Sequence, residues 1–305
     1  MRIGMMSSAI NGGTIDDIVA EARQAKEFGA HTFWSSQIFG HDALTALAIV
    51  GREVPGIELG TAVIPTYPRH PWVMAQQALS TTAVINSRGD SSLCLGIGLS
   101  HKIVVESMWG LSYEKPVRHL REYLSVLMPL LEGQPVKFEG EEYRVQGALD
   151  ARGSSRPSVV VAALGPQMLR VTGALADGTS TWCVGPKVLE DLTIPTLRQA
   201  AADAGKADPR VVCALPVCVT DDVDASRARA SQVFAVYDTL PSYKTMMDRE
   251  GVDGPGGLAI CGTEDEVRDQ IAHLASIGVT DFNAGIYATD PEEVQRTLKV
   301  LSAWT

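Results

Sequence analysis

The chain alternates short β-rich runs with amphipathic helical stretches over its whole length. The β-rich runs are residues 2–6, 31–34, 57–64, 93–97, 158–163, 179–184, 211–219 and 279–286. Between them, apolar residues recur three and four positions apart, which is typical of helices that cover a sheet. Thr14 and Gly29 predict the first helix's start and end, and Thr263 with Glu266 predicts a capping box for a late one. Strand–helix units repeated in this number predict an α/β fold, a (β/α)8 TIM barrel.

A doubly wound parallel sheet is the competing architecture. Such a sheet usually carries a Gly-rich first turn, and Asn11-Gly12-Gly13 is not of the G-x-G-x-x-G type. No Pro/Gly/Ser linker divides the chain, so we predict one domain over residues 1–305. Residues 136–145 alternate in hairpin fashion and predict an insertion. The irregular stretch 238–262 is either an active-site lid or a plain flexible loop.

The composition of the chain argues against several classes of binding partner. The formal net charge is −10 and no basic run occurs, which argues against nucleic acid as a partner. No apolar stretch is long enough to span a bilayer, and residues 1–6 read as a first strand, not a signal peptide. The five cysteines are isolated, which favours reduced thiols and a cytoplasmic location. The histidines have no metal-binding spacing, so we expect a metal-free protein that acts on a small organic molecule.

In a barrel, the chemistry lies on the loops that follow the strands. After the third run, residues 60–71 carry three prolines together with Tyr67, Arg69 and His70. They form either a rigid, chemically rich wall or an ordinary cap for the next helix. After the fourth run, Gly96-Ile97-Gly98 is too short to indicate a dinucleotide site, but it lets the backbone approach a planar ligand. Ser100 and His101 follow as polar groups.

The turns after the fifth and sixth runs are rich in small residues. Residues 162–168 read Ala-Ala-Leu-Gly-Pro-Gln-Met and lead into a helix. The free N–H groups at a helix start attract phosphate, and small residues let the phosphate come close. Residues 182–186, Trp-Cys-Val-Gly-Pro, form a second such turn. Two neighbouring turns of this kind favour an anion site, although each is also compatible with an ordinary strand-to-helix connection.

Taken in order, these loops resemble those of the luciferase-like flavin and deazaflavin enzymes, in particular the branch that uses coenzyme F420. The resemblance runs nearly end to end and is most specific at residues 60–63, 69–71, 95–98, 163–166 and 176–178. It implies a TIM barrel, often dimeric, whose cofactor ring lies over a bulge after the third strand. The bulge in relatives contains a non-proline cis peptide, here Ala62–Val63, and the phosphate binds at the loop matching residues 164–168. The cofactor-binding residues so implied are Ala62, Val63, Thr66, Gly98, Ser100, Ala163, Leu164, Gly165, Gln167, Met168, Trp182, Cys183 and Gly185.

The sequence departs from the family pattern after the second strand. Several deazaflavin enzymes of the superfamily have an acid–base residue in the register of Gln37-Ile38, where this chain has no strong acid or base. The proton donor must come from elsewhere, either water or one of the candidates His41, His70, His101 and Gln37. We predict a substrate wall of Met5, Trp34, Tyr67 and Trp109, although such residues are more often plain core.

The resemblance implies hydride transfer between F420 and an organic substrate, by reduction of a C=C or C=N bond or the reverse oxidation. A deazaflavin has carbon in place of the reactive flavin nitrogen, so it transfers hydride and does not readily activate oxygen. Two alternatives stay open. One is an FMN-dependent monooxygenase on the same barrel. The other is a non-catalytic barrel that only binds a ligand, for which the missing acid–base residue is the best support.

Overall fold

A computed structural model describes residues 1–89 and 91–304. Eight parallel strands close into a barrel in the order β1-β2-β3-β5-β8-β9-β10-β12, with β12 paired back to β1. The short strand β4 pairs with the end of β5, β11 pairs with the end of β10, and β6 and β7 form a separate antiparallel hairpin. The strands are β1 (Arg2–Met6), β2 (Thr32–Ser35), β3 (Glu58–Thr61), β4 (Ile64–Pro65), β5 (Leu93–Gly98), β6 (Val136–Glu139), β7 (Arg144–Gly147), β8 (Ser158–Val161), β9 (Gly178–Trp182), β10 (Arg210–Val219), β11 (Ile260–Gly262) and β12 (Asp281–Ile286).

Helices surround the barrel, and their ends follow the predicted signals. Thr14 and Thr263 form capping boxes with Asp17 and Glu266, and Gly29 ends the first helix in the left-handed conformation, as expected. The helices are α1 (Ile15–Phe28), α2 (Ala43–Glu53), α3 (Pro71–Asn86), α4 (Pro116–Leu131), α5 (Pro166–Leu175), α6 (Pro186–Val188), α7 (Ile194–Asp203), α8 (Val223–Val233), α9 (Pro241–Glu250), α10 (Glu264–Ser276) and α11 (Pro291–Leu301). No helix in the described part of the chain has both the length and the apolarity to cross a membrane.

The prediction of a TIM barrel is confirmed, and three of its details are wrong. The third strand is not continuous over 57–64 but breaks at Ala62–Val63 into β3 and β4. The helical stretch after the sixth run is not one regular helix, because it begins as the single turn α6, passes through a π-helical turn at Leu189–Thr193, and becomes α7. The stretch 238–262, predicted to be irregular, contains α9, a 3-10 turn at Pro255–Leu258 and strand β11. Its polar, weakly periodic sequence hid these elements.

A charged cluster fills the amino-terminal end of the barrel. The Arg210 guanidinium donates to Asp281 at 2.6 and 2.9 Å and to Glu58 at 2.7 Å, and Arg2 donates to the same Glu58 oxygen at 2.7 Å. Burial by itself raises the pKa of Glu58, but the hydrogen bonds and charge of Arg210 outweigh burial and lower it. This end of the barrel is therefore closed by paired charges.

Above that cluster, the side chains that point into the barrel become smaller toward its carboxyl-terminal end. Trp34, Cys94, Val160 and Val212 pack together inside the barrel, and a side chain at Gly4 or Gly60 would overlap the Trp34 ring. Because alternate residues of a strand face the same way, the residues two positions further along form the next inward-facing layer. Most of them are small, namely Ala62, Gly96, Ala162, Ala214 and Gly285. The carboxyl-terminal mouth of the barrel is therefore lined by small residues over a solid tryptophan floor.

Candidate active site

The bulge after β3 lies at one edge of this mouth. The peptide bond between Ala62 and Val63 is cis, as the resemblance implied. A Cβ at Gly98 would lie 2.7 Å from Val63 Cγ2, and a Cβ at Gly96 would overlap the carbonyl of Thr61. Gly96 and Gly98 of β5 therefore let this strand approach the bulge, and Gly98 makes room for the Val63 side chain. The backbone N–H of Thr66 also donates to the Gly98 carbonyl, at 2.8 Å.

The first turn of α5 has free backbone N–H groups and open space in front of them. Gly165 stands at the N-cap with no side-chain cap, and the first turn contains no acidic residue. Among the described residues, no acceptor takes the backbone N–H of Gln167 or Met168. A Cβ built on Gly165 would meet no atom within 4 Å. Free N–H groups at a helix start, with open space in front of them, are the geometry that binds phosphate.

The second predicted anion turn, at the start of α6, is already filled. The Glu250 carboxylate accepts the N–H groups of Lys187 and Val188 at 3.1 and 2.9 Å. A Cβ at Gly185 would overlap that carboxylate. The role of Gly185 in cofactor binding stays a prediction, and in this structure an internal carboxylate already satisfies the helix start beside it. Of the two turns, the one that starts α5 is available to a ligand.

Glu250 belongs to α9, so its carboxylate ties that helix to the carboxyl-terminal end of β9. We expect Glu250→Gln to lower the free energy of unfolding by about 1 kcal/mol, because a charge at a helix start is replaced by a neutral amide. We also expect faster hydrogen exchange across residues 241–250. Asp248→Asn is the control, because Asp248 lies on the same helix in an exposed ion pair with Lys244. Equal exchange in both variants would show that Glu250 does not hold α9.

The comparisons with known proteins agree with this geometry. The model of the luciferase-like monooxygenase family matches residues 1–281. This chain belongs to that family.

Two relatives of the luciferase-like barrel and one solved structure show how far the similarity extends. A 5,10-methylenetetrahydromethanopterin reductase of Methanolobus tindarius is 25% identical over 293 residues, which cover 87% of this chain and 88% of the relative. An F420-dependent glucose-6-phosphate dehydrogenase of Nakamurella multipartita is 29% identical over 271 residues, 84% of this chain and 77% of the relative. The structure of the coenzyme F420-dependent tetrahydromethanopterin reductase from Methanopyrus kandleri superposes with a TM-score of 0.80 at 20% identity, covering 99% and 97% of the two chains.

In this luciferase-like chain, three of the four predicted proton donors serve local structure. Gln37 Oε1 accepts the N–H of Ala43 at 3.1 Å, ahead of α2. His70 Nδ1 accepts the N–H of Trp72 at 3.2 Å, so the alternative of a simple helix cap describes His70. His41 is exposed, and its Nε2 lies 3.0 Å from the carbonyl oxygen of Gly13. Gln37 and His70 are therefore held by backbone groups close to them in sequence, and His41 is held by the loop that follows β1.

His101 is the remaining predicted donor. It is half-buried directly after Ser100, whose φ of 61° is unusual for a residue with a side chain. Its ring lies 5.8 Å from the ring of Tyr243 on α9. Burial lowers the pKa of His101, so the imidazole is neutral at pH 7 and offers one donor and one acceptor nitrogen. His101 is therefore the candidate that keeps acid–base capacity beside the mouth.

An aromatic wall beside the mouth was missed by the sequence analysis. The Trp182 ring lies 5.3 Å from the Phe234 ring and 5.8 Å from the Tyr237 ring, and the Tyr237 ring lies 5.0 Å from the Tyr243 ring. Trp182 Nε1 is buried without a hydrogen-bond partner in the described structure. Phe234, Tyr237 and Tyr243 carry no local motif, and only the packing of residues 234–243 beside Trp182 brings them here.

The predicted substrate wall is only partly assembled. Trp34 is fully buried and lies beneath the mouth as its floor, not in an exposed wall. Met5 and Tyr67 are half-buried and pack against the main core cluster, and Trp109 is half-buried at the end of the π-helical turn Val104–Met108. Tyr67 stacks face to face on His119, with ring centroids 3.9 Å apart and planes 4° from parallel.

The remaining predicted cofactor residues divide into two groups. Ala62, Val63, Ser100, Leu164, Gly165 and Met168 are partly accessible, and Gln167 is exposed. Ala163, Thr66 and Cys183 are buried, and burial raises the pKa of the Cys183 thiol. Thr66 Oγ1 lies 2.9 Å from His119 Nε2, so its hydroxyl already has a partner. His119 itself was missed, because it lies inside α4, near its start, and carries no local motif.

Proposed function

We propose that this chain is an F420-dependent oxidoreductase that transfers a hydride between the deazaflavin and an organic substrate. The reaction is the reduction of a C=C or C=N bond or the reverse oxidation. One observation carries the proposal: the uncapped start of α5 faces open space beside a mouth lined by small residues. The F420-dependent relatives support the choice of cofactor.

The residues present fit such a cofactor. The N–H groups of Gln167 and Met168 would hold its phosphate, and the bulge at Val63 with the small residues Ala62 and Ala162 would accept its flat ring. When bound, the deazaflavin supplies or accepts a hydride at a ring carbon.

The chain's own residues prepare the site in two ways. The aromatic wall of Phe234, Tyr237, Tyr243 and Trp182 excludes water and orients an apolar substrate, and we propose that residues 238–262 act as its lid. His101, neutral and next to Tyr243, holds or donates a proton at a ring nitrogen when the substrate needs one. The expected substrate is therefore a small apolar molecule with a reducible double bond.

The proposal is tested by titrating the purified protein with F420 and with FMN and following ligand fluorescence. Bound F420, followed by oxidation of reduced F420 on addition of cyclohexenone or a cyclic imine, is the expected result. FMN binding with substrate-dependent oxygen consumption would instead identify the monooxygenase. Binding of neither cofactor would favour the non-catalytic barrel and overturn the proposal.

Two further proposals concern the cellular compartment and the oligomeric state of the protein. The five cysteines are buried and unbridged, which supports a reducing compartment such as the cytoplasm. We also propose a homodimer, on the basis of the family resemblance. Light scattering at micromolar concentration gives the oligomeric state directly.

A further inference from the structure

Exposed apolar side chains collect at one end of the barrel. Nine large apolar side chains are exposed among the described residues, and seven of them lie in the segments 38–39, 103–111 and 233–236. These segments follow the carboxyl-terminal ends of β2, β5 and β10, so they lie around the mouth. Phe39 and Ile103 are 68% and 65% exposed. We call the three segments the apolar rim.

Each segment of the rim adjoins a part of the candidate site. Just before the first segment, the carbonyl of Ser35 accepts the N–H of Ala62 in the bulge at 2.9 Å. The second segment begins two residues after His101, whose ring lies 5.8 Å from the Tyr243 ring. The third segment contains Phe234 of the aromatic wall. The rim is therefore continuous with the bulge, with the predicted proton donor and with the aromatic wall.

The rim suits a hydrocarbon chain better than a lipid surface or a second copy of the protein. Residues 36–40 and 232–237 contain no charged side chain. In 103–111 the one charged side chain is Glu106, which pairs with Lys102 at 3.8 Å. These stretches therefore contain no Lys or Arg to pair with anionic lipid, and such a surface would repel the net charge of −10. A second copy seated on the rim would cover the mouth that cofactor and substrate must enter.

We propose that the apolar rim binds a hydrocarbon chain that the substrate carries beside its reducible double bond. The proposal rests on the proposed function and names the substrate class of that site. The mouth accepts the small reducible end of the molecule, and the chain leaves the mouth across the exposed side chains of the rim. Each CH₂ group that lies on the rim removes apolar surface from water, so affinity should rise with chain length. The expected substrate is therefore an unsaturated carbonyl compound or imine with a linear alkyl or isoprenoid chain.

The first test measures binding to the protein without cofactor, by NMR titration with decan-2-one and with pentan-2-one. These saturated ketones have no C=C bond to reduce, so their affinities report contact with the protein alone. We expect decan-2-one to bind at least about 10-fold more tightly, which is less than full burial of the added CH₂ groups would give. Phe39→Ser and Val236→Ser should each lower the affinity for decan-2-one about 3- to 10-fold, and that for pentan-2-one much less. Ile49→Ser is the matched control, because Ile49 is an exposed apolar residue of α2 outside the rim.

Equal affinities for the two ketones would overturn the proposal. A loss of decan-2-one affinity in Ile49→Ser as large as in the rim variants would also overturn it. Two further outcomes would give the rim a different occupant and so exclude the proposal. One is flotation of the protein with phosphatidylcholine vesicles that Phe39→Ser abolishes, and the other is a dimer, seen by light scattering, that Phe39→Ser splits.

The second test uses the F420-loaded enzyme with a series of 3-alken-2-ones from pentenone to decenone. The value of kcat/KM should rise about twofold for each added CH₂ group, mainly through a lower KM. Phe39→Ser should flatten this dependence, whereas Ile49→Ser should keep it. Turnover with a kcat/KM that ignores chain length would overturn the chain site and leave the proposed function intact. Turnover of no alkenone would overturn the proposed function and, with it, the assignment of the chain to a substrate, even where the ketone titration shows chain binding.

Discussion

Gly165→Asp should abolish cofactor binding and at the same time stabilise the protein. Gly165 is the N-cap of α5 with φ −83° and ψ 156°, a conformation open to any residue, and space lies in front of it. An aspartate there would accept the free N–H groups of the first turn, which is worth roughly a few tenths of a kcal/mol of stability relative to glycine. It would also compete with the phosphate for those groups and repel it, so affinity for F420 should fall at least about 100-fold.

Because affinity for F420 should fall while stability rises, general unfolding of the variant cannot explain the expected result. Gly165→Asn is the matched control, because asparagine caps a helix about as well but carries no charge. We expect it to lower F420 affinity less than aspartate does while giving a similar thermal stability. Fluorescence titration and thermal unfolding, run on the same preparations, measure the two effects. Unchanged affinity in the aspartate variant would place the phosphate elsewhere and remove the main support for the cofactor site.

Arg210→Met should lower the free energy of unfolding more than any other substitution proposed for this protein. The variant leaves Glu58 and Asp281 as buried carboxylates without their principal partner, and Asp281 is only 2% exposed. Breaking one member of a buried charge cluster costs on the order of 3–5 kcal/mol. Urea denaturation at pH 7 measures this cost. Arg268→Met, in an exposed pair with Asp265, is the control and should change stability by less than about 0.5 kcal/mol.

The same cluster sets a pH dependence. The pKa of Glu58 is lowered in the folded protein, so its contribution to stability is present above the ordinary glutamate pKa. That contribution is lost as the pH falls through the folded value. Arg210→Met should therefore lose part of the acid sensitivity of the parent between neutral pH and about pH 3. A stability difference between parent and variant that stays constant over this range would contradict the ion-pair account.

The fold was predictable because its signals are local. Helix caps such as Thr14 and Thr263, and the alternation of strand and helix periods, lie within a few residues of the elements they define. The bulge at Ala62–Val63 and the small-residue turn at Gly165 were found because each lies in one contiguous segment that resembles a family motif. His70-Pro71 carried a local helix-cap signal as well, and the structure follows that signal.

The missed residues act over long distances in sequence. Glu250 fills a helix start 62 and 63 residues away, and His119 bonds a threonine 53 residues away. No pattern near Glu250 or His119 distinguishes it from an ordinary helix residue. The position of Trp34 was not predictable for a related reason, because a strand-end aromatic side chain can point into the barrel or toward its mouth. Only the glycines at positions 4 and 60, which make room for the indole, decide between the two.

The Glu250 carboxylate, which occupies the start of α6, would also determine the orientation of the proposed cofactor in the site. If both helix starts were free, the phosphate of a flat cofactor could bind at either one. The cofactor could then present either face of its ring to the substrate. The Glu250 side chain removes one of the two helix starts, so in the proposed complex the ring face that gives or receives the hydride would be set by a residue that does not touch the ring. Stereochemical selectivity would then depend on α9, the helix that also carries Tyr243 of the aromatic wall.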